Sequence, residues 1–298
     1  MDLLSIDSLT DEQIARILDR GEHWFSQNRA GASSEQLRGK IVFNLFYEDS
    51  TRTLMSFATA AHRLGASAIT LPVDQSSVKK GETLQDTART LNAMRPDALV
   101  IRHRDNGTAA DVAQIMDAPV INAGDGTNEH PTQALLDAAT IRRRLGRVDG
   151  LKVAICGDIR HSRVARSNAK LLPRLGADVR LAGPRELMPD GIPLLSIDEA
   201  IAGADVVMML RVQRERLEAE LGDAPGEYLS RYGLTVERLA TAALGAVVMH
   251  PGPMNRGVEI EDRIADDPDR SLIAMQVEMG VAVRMACLEL VVLGSDAA

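Results

Sequence analysis

Short apolar, β-branched runs alternate along the chain with stretches whose apolar residues recur at helical spacing. Ile41 to Phe46, Ala68 to Leu71, Ala98 to Ile101 and Pro119 to Ile121 read as buried strands, with helices near residues 51 to 64, 81 to 94 and 108 to 117 between them. A second series places strands at Val153 to Cys156, Val179 to Ala182, Val206 to Leu210 and Ala246 to Met249. Mostly apolar strands separated by helices are the mark of parallel sheets covered on both faces. The expected fold is α/β with two domains, each a doubly wound parallel sheet flanked by helices. Gly146 to Gly150 forms a polar, Gly-containing break, which puts the first domain at 1–146 and the second at 147–275. Residues Gln276 to Leu293 form a long apolar helix with Val277, Val281, Met285, Leu288 and Val292 on one face, and 276–298 is expected to pack back toward the first domain.

Two helices carry sharper local signals. Leu54, Phe57, Ala58, Ala61 and Leu64 keep the rhythm of one buried face, and Gly65 supplies a left-handed stop. Ser196 with Glu199 three residues later makes a capping box before a short helix that leads into Val206.

Composition narrows the function classes. The 298 residues are 45% hydrophobic and 26% charged, as expected of a globular protein with two domains of ordinary size. Thirty-four Lys and Arg against 42 Asp and Glu give a net charge of −8, and the eight aromatics (four Phe, three Tyr, one Trp) leave little for base stacking. Nucleic acid is therefore not the expected partner. Cys156 and Cys287 lie far apart and outside any CxxC, so a disulfide framework and a Cys-based zinc site are both unsupported. The six histidines are scattered without metal-ligand spacing, so neither metal nor cofactor is expected. The acidic, amphipathic N-terminus is unlike a signal peptide, and no apolar run approaches about 18 residues. A reducing, cytoplasmic setting without a membrane fits best.

Two turns carry the chemistry. The strand ending at Phe46 runs through Tyr47, Glu48 and Asp49 into Ser50, Thr51, Arg52 and Thr53, which open a helix. First-turn N–H groups lack intrahelical partners and lie at the positive end of the dipole, so an anion is well bound there. A lone Ser-Thr pair would be read as an N-cap beside a surface charge. Four consecutive donor-bearing residues point instead to a phosphate. The second turn is Gly-rich, follows Ile121 and leads to His130, Pro131 and Gln133. Pro at the first helical position sets His130 at the N-cap and Gln133 in the first turn. An isolated His at such a place is more often a cap than a catalyst. With Arg102 at a neighbouring strand end, it becomes a hydrogen-bond donor in a crevice at the sheet's carboxyl edge.

The stretches FYEDSTRTLMSFATAAHRLGA and HPTQALLD resemble the aspartate/ornithine carbamoyltransferase family. The segments SSVKKGETLQDT, GDIRHSRVARSN, LRVQRER and HPGPMNRGVEI resemble its aspartate-using branch, and the likeness runs from about Ile41 to Leu290. The resemblance implies that Ser50, Thr51, Arg52 and Thr53 hold the phosphate of carbamoyl phosphate. It implies that Thr53, Arg102 and His130 donate to the carbamoyl oxygen, and that Gln133 and the main-chain carbonyls of Pro251 and Gly252 accept from its NH2. Some members carry Leu at the position of Gly252. Ser76 and Lys80 match a Ser and a Lys that enter the neighbouring subunit's site, which implies a homotrimer with shared sites. Arg163, Arg211 and Gln213, together with Lys80, would bind the two carboxylates of L-aspartate. The product would be N-carbamoyl-L-aspartate, from the committed step of pyrimidine synthesis.

An ornithine-using relative typically has a Cys in an HCLP motif, where this chain reads HPGP. A dinucleotide-binding, NAD-dependent enzyme needs a GxGxxG turn, and CGDIRHSR has the single Gly157. A non-catalytic scaffold would have lost key donors, whereas Arg52, Arg102, His130 and Gln133 are all present. Association with a regulatory chain or a dihydroorotase-like partner stays open.

Overall fold

The computed structural model describes residues 1–71, 73, 80–212 and 225–294. Ser76 and Gln213 lie outside the described residues. The chain forms two compact units, residues 1–139 with 277–298 and residues 140–276. The division falls inside the helix Pro131–Leu145 and inside the last helix, Ile273–Leu293.

The first unit holds a parallel sheet of four strands, β1 (Ile41–Phe46), β2 (Ser67–Leu71), β3 (Ala98–His103) and β4 (Val120–Asp125), in the order β2-β1-β3-β4. Its helices are α1 (Asp11–Arg29), α2 (Thr51–Arg63), α3 (Leu84–Ala93), α4 (Thr108–Ala113) and the start of α5 (Pro131–Leu145). The apolar strand residues Val42, Leu45, Leu99, Val100 and Ile121 are fully buried. Each such side chain contributes about 1.5–3 kcal/mol through removal from water. The first residues lace onto the free edge of β4. Leu3 bridges Ile121 in parallel, Asp2 accepts from the N–H of Val120 at 2.8 Å, and Asn122 Nδ2 donates to the carbonyl of Leu4 at 2.9 Å.

The second unit repeats the plan with β5 (Lys152–Cys156), β6 (Asp178–Ala182), β7 (Val206–Met209) and β8 (Val247–Met249), all parallel, in the order β6-β5-β7-β8. Around it lie α6 (Arg163–Arg174), α7 (Ile197–Ile201), α8 (Pro225–Tyr232), α9 (Val236–Leu239) and α10 (Asp262–Ala265), and α11 (Ile273–Leu293) follows. Ser196 and Glu199 form the expected capping box on α7. An equivalent box, Thr10 with Gln13, starts α1 and was legible as T-x-x-Q.

From Val277 onward α11 belongs to the first unit, where it packs on α1. Glu289 accepts from Arg20 Nη2 at 2.8 Å and from Trp24 Nε1 at 2.7 Å. The single-face reading of this helix does not hold. Residues 282–291 are buried all round, while Val277 is 51% exposed, because the helix runs through the interior instead of lying on it. The buried face of α2 is also rotated from expectation. Thr53, Ser56, Phe57, Ala60 and Ala61 are its buried residues, and Leu54 and Ala58 are half-buried. The fourth strand begins later and runs further than Pro119 to Ile121, through Asn122, Ala123 and Gly124 to Asp125. Asn122 is turned inward onto Asp125, which removes the polar signal that suggested a turn. Gly65 closes α2 at φ 81°, as expected. Among the described residues no helix is long and apolar enough to cross a membrane.

Candidate active site

In the order β2-β1-β3-β4 the chain leaves β1 to one side and returns on the other, so the topological switch point lies between β1 and β3. The carboxyl ends on either side of such a point are where open α/β sheets bind ligands. The strand register lines up its two sides. Phe46 pairs with Arg102, and the N–H of Tyr47 donates to the Arg102 carbonyl at 2.9 Å. Three residues beyond Tyr47 the chain reaches Ser50, the N-cap of α2, whose hydroxyl does not cap the helix. Thr51 and Arg52 are exposed and Thr53 is buried in the first turn, so this turn offers backbone N–H groups, hydroxyls and one guanidinium.

Arg102 is held from two directions. Its Nη2 donates to Glu48 Oε1 at 2.7 Å and its Nη1 to the Ala123 carbonyl at 3.4 Å, with 11% of the side chain exposed. A guanidinium anchored this way keeps its plane fixed. Glu48 was not singled out from the sequence, because its value comes from a residue 54 positions away.

β4 adjoins β3, and the turn after it presents the third group. Asp125, 3% exposed, accepts four hydrogen bonds. Asn122 Nδ2 (2.9 Å) and the Glu129 N–H (3.1 Å) reach Oδ1, while the Gly107 N–H (2.8 Å) and Asn128 Nδ2 (3.0 Å) reach Oδ2. Glu129 in turn accepts from the N–H of Ile6 at 2.9 Å. This lattice sets the entry to α5. His130, 3% exposed, is its N-cap, with a carbonyl that accepts from the N–H groups of Gln133 (3.0 Å) and Ala134 (3.3 Å). Pro131 is the first helical residue, as the sequence indicates. The carboxyl ends of β1, β3 and β4 thus carry residues 50–53, Arg102, His130 and Gln133 side by side. Lys80 is exposed ahead of α3 and has no hydrogen bond or ion pair to these groups among the described residues.

The second sheet has its own switch point, between β5 and β7. Gly157 follows β5 at φ 129°, and a Cβ on it would lie 2.9 Å from the carbonyl oxygen of Leu210. Only glycine lets this turn pass so close to the end of β7. The turn continues to Ser162, which caps α6 by accepting from the Ala165 N–H at 3.1 Å, and Arg163 is the first residue of that helix. Arg211 follows Leu210 on the other side and is exposed. Asp158 holds His161 through Nδ1 at 2.9 Å.

Pro251 and Gly252 follow β8 at the same edge. His250 Nδ1 accepts from the Gly252 N–H at 2.8 Å, which makes Nε2 the protonated nitrogen, donating to the fully buried Glu259 at 3.2 Å. Glu259 also accepts from the Asn255 N–H, and Asn255 Nδ2 donates to the Val212 carbonyl at 2.8 Å. This network ties the HPGP turn to the segment carrying Arg211. Gly252 sits at φ 66°, a left-handed conformation that suits glycine. Burial pushes the thiols of Cys156 and Cys287 up to about 12, so neither supplies a nucleophile at neutral pH. Among the described residues no three His, Cys, Asp or Glu side chains converge as metal ligands would.

Two family models match the chain. Residues 1–143 match "Aspartate/ornithine carbamoyltransferase, carbamoyl-P binding domain", and residues 149–291 match "Aspartate/ornithine carbamoyltransferase, Asp/Orn binding domain". The aspartate carbamoyltransferase catalytic subunit of Rhodospirillum rubrum is 56% identical over 96% of this chain and 92% of its own length. That of Granulibacter bethesdensis is 57% identical over 96% and 93%. Among solved structures, Trypanosoma cruzi aspartate transcarbamoylase in complex with N-(phosphonacetyl)-L-aspartic acid matches with a TM-score of 0.87 at 32% identity, covering 96% of this chain and 94% of that one. Pyrococcus furiosus ornithine carbamoyltransferase matches with a TM-score of 0.87 at 31% identity, over 98% and 97%. With both halves matched and identities above one half over nearly the full length, the chain belongs to the aspartate/ornithine carbamoyltransferase family.

Proposed function

We propose that this chain is an aspartate carbamoyltransferase, moving the carbamoyl group of carbamoyl phosphate to the α-amine of L-aspartate. The amine nitrogen attacks the carbamoyl carbon, the bond from that carbon to the phosphate oxygen breaks, and the proton lost by the amine leaves with the phosphate. The product is N-carbamoyl-L-aspartate, the committed intermediate of pyrimidine biosynthesis.

The chemistry follows from charge. Negative charge grows on the carbamoyl oxygen during attack, and Thr53, Arg102 and His130 donate to it. Each donor fixed at such an oxygen contributes on the order of 3 kcal/mol. Ser50, Thr51, Arg52 and Thr53 hold the phosphate, with Ser76 and Lys80 arriving from a neighbouring subunit. Gln133 and the carbonyls of Pro251 and Gly252 accept from the NH2 group. Arg163, Arg211, Gln213 and Lys80 take the carboxylates of aspartate. Arg52, Lys80, Arg102, Arg163 and Arg211 offset the charges of two anionic substrates in a chain whose net charge is −8. The donor site belongs to residues 1–146, completed by the carbonyls of Pro251 and Gly252, and the acceptor site to 147–275, completed by Lys80. The working assembly is a cytoplasmic homotrimer, open to a regulatory chain or a dihydroorotase-like partner, and neither metal nor cofactor takes part because the acyl donor is already activated.

The observation that carries this reading is the strand order. At the switch point of the first sheet it sets an anion-binding turn beside an anchored arginine, and at that of the second it sets two arginines. Steady-state assays with carbamoyl phosphate and a panel of amines test it. Aspartate is the expected acceptor, and a preference for ornithine or turnover with neither would overturn it.

A further inference from the structure

Behind the first turn of α5 lies a second layer. Gln133 and Asp137 are four residues apart and share a helix face. Gln133 Nε2 donates to Asp137 Oδ1 at 3.0 Å in the interior. With its NH2 end on Asp137, the Gln133 amide has its Oε1 turned away.

Asp137 is fully buried, and the opposite charge comes from Arg284 on α11, itself 3% exposed. Burial pulls Arg284 down to about 10, which leaves it charged at neutral pH, with Asp137 an attractive neighbour and Arg102 a repulsive one. The guanidinium lies 5.1 Å from the Phe57 ring centroid, and its Nη1 donates to the Gly280 carbonyl at 3.3 Å. Gly280 makes the room, since a Cβ there would stand 2.8 Å from Arg284 Nη1.

We propose that Asp137, backed by Arg284, is the positioning residue that fixes the Gln133 amide with its oxygen toward the acyl donor, so that the site selects an acyl phosphate bearing NH2 over one bearing methyl. This rests on the reading above, in which Gln133 accepts from the carbamoyl NH2. A reversed amide would set N–H against N–H and lose that bond.

The test compares kcat/KM for carbamoyl phosphate and acetyl phosphate, with aspartate as acceptor, in wild type, Asp137→Asn, Gln133→Leu and the double variant. Asparagine at 137 offers either an oxygen or an N–H, so the amide is no longer fixed. The preference for carbamoyl over acetyl phosphate is expected to fall about 10-fold in Asp137→Asn, the effect of one hydrogen bond, and the double variant to fall no further than Gln133→Leu alone. An unchanged preference in folded Asp137→Asn, an equal loss with both donors, or additive losses in the double variant would overturn the proposal. If Asp137→Asn fails to fold, Asp137→Asn with Arg284→Met removes both buried charges, and the same outcomes decide. A wild type that leaves aspartate unreacted overturns the functional reading first, which separates the two failures.

Discussion

At the scale of single residues, the groups on the carboxyl ends of β1, β3 and β4 divide into those assigned to the acyl donor and those that hold them. Arg52 is exposed and His130 is 3% exposed, and both are assigned to the acyl donor. Replacing either by Ala is expected to lower kcat by about 100-fold or more with the fold intact, as steady-state kinetics and circular dichroism would show. Near-normal turnover in either variant removes its assigned role. The STRT turn was legible as a run of donors at a helix start and the HPTQ turn by Pro131 at the first helical position, both local signals. Glu48, Asp125 and Asp137 were not, because their partners Arg102, Gly107 and Arg284 become neighbours only when the chain folds. The two cysteines make a prediction with a definite sign. Their folded pKa of about 12 lies above the ordinary thiol value of 9.0, so the folded state binds more protons between those values. Their contribution to stability is complete below about pH 9 and is lost as the pH rises toward 12. Urea unfolding midpoints should decline over that range, and less steeply when both are changed to Ala. An equal slope in the variant would refute the assignment.

Among the elements, strands were read more faithfully than helix faces. β1 has the boundaries expected, because a parallel strand with a buried centre shows as a mostly apolar run, here broken only by the buried Asn44. The α2 stripe was rotated because Thr53 and Ser56 are buried polar residues that an apolar count skips. The α11 face was misjudged because a helix apolar on every side has no face to find. Loop geometry was legible only in part. The single Gly157 argued against a dinucleotide turn, and the structure adds its positive role in passing Leu210. Gly157→Ala should lower stability by about 1–3 kcal/mol through strain at φ 129° and contact with the Leu210 carbonyl. It should also raise KM for the amine more than for carbamoyl phosphate, because both Arg163 and Arg211 flank that turn. Urea titration and two-substrate kinetics would show this, and an unperturbed KM for the amine would separate the turn from acceptor binding.

For the molecule as a whole, shape does not choose the substrate. An aspartate-using and an ornithine-using relative both superpose with a TM-score of 0.87. Discrimination must come from particular side chains, and replacing Arg211 by Ala should spoil use of aspartate while sparing the binding of carbamoyl phosphate, as product assays and isothermal titration would report. If Lys80 serves a neighbouring subunit, inactive Lys80→Ala and inactive Arg52→Ala chains should regain part of their activity once mixed and exchanged. No recovery after confirmed exchange would mean that each chain works alone.

The repeated strand order carries one more consequence. Because each sheet has its own crossing point, the proposed function puts most of the acyl-donor chemistry and the choice of nucleophile on separate parts of the polypeptide. Laboratory evolution restricted to the loops after β5 and β7 could therefore explore new amines while the groups assigned to the acyl donor are inherited unchanged.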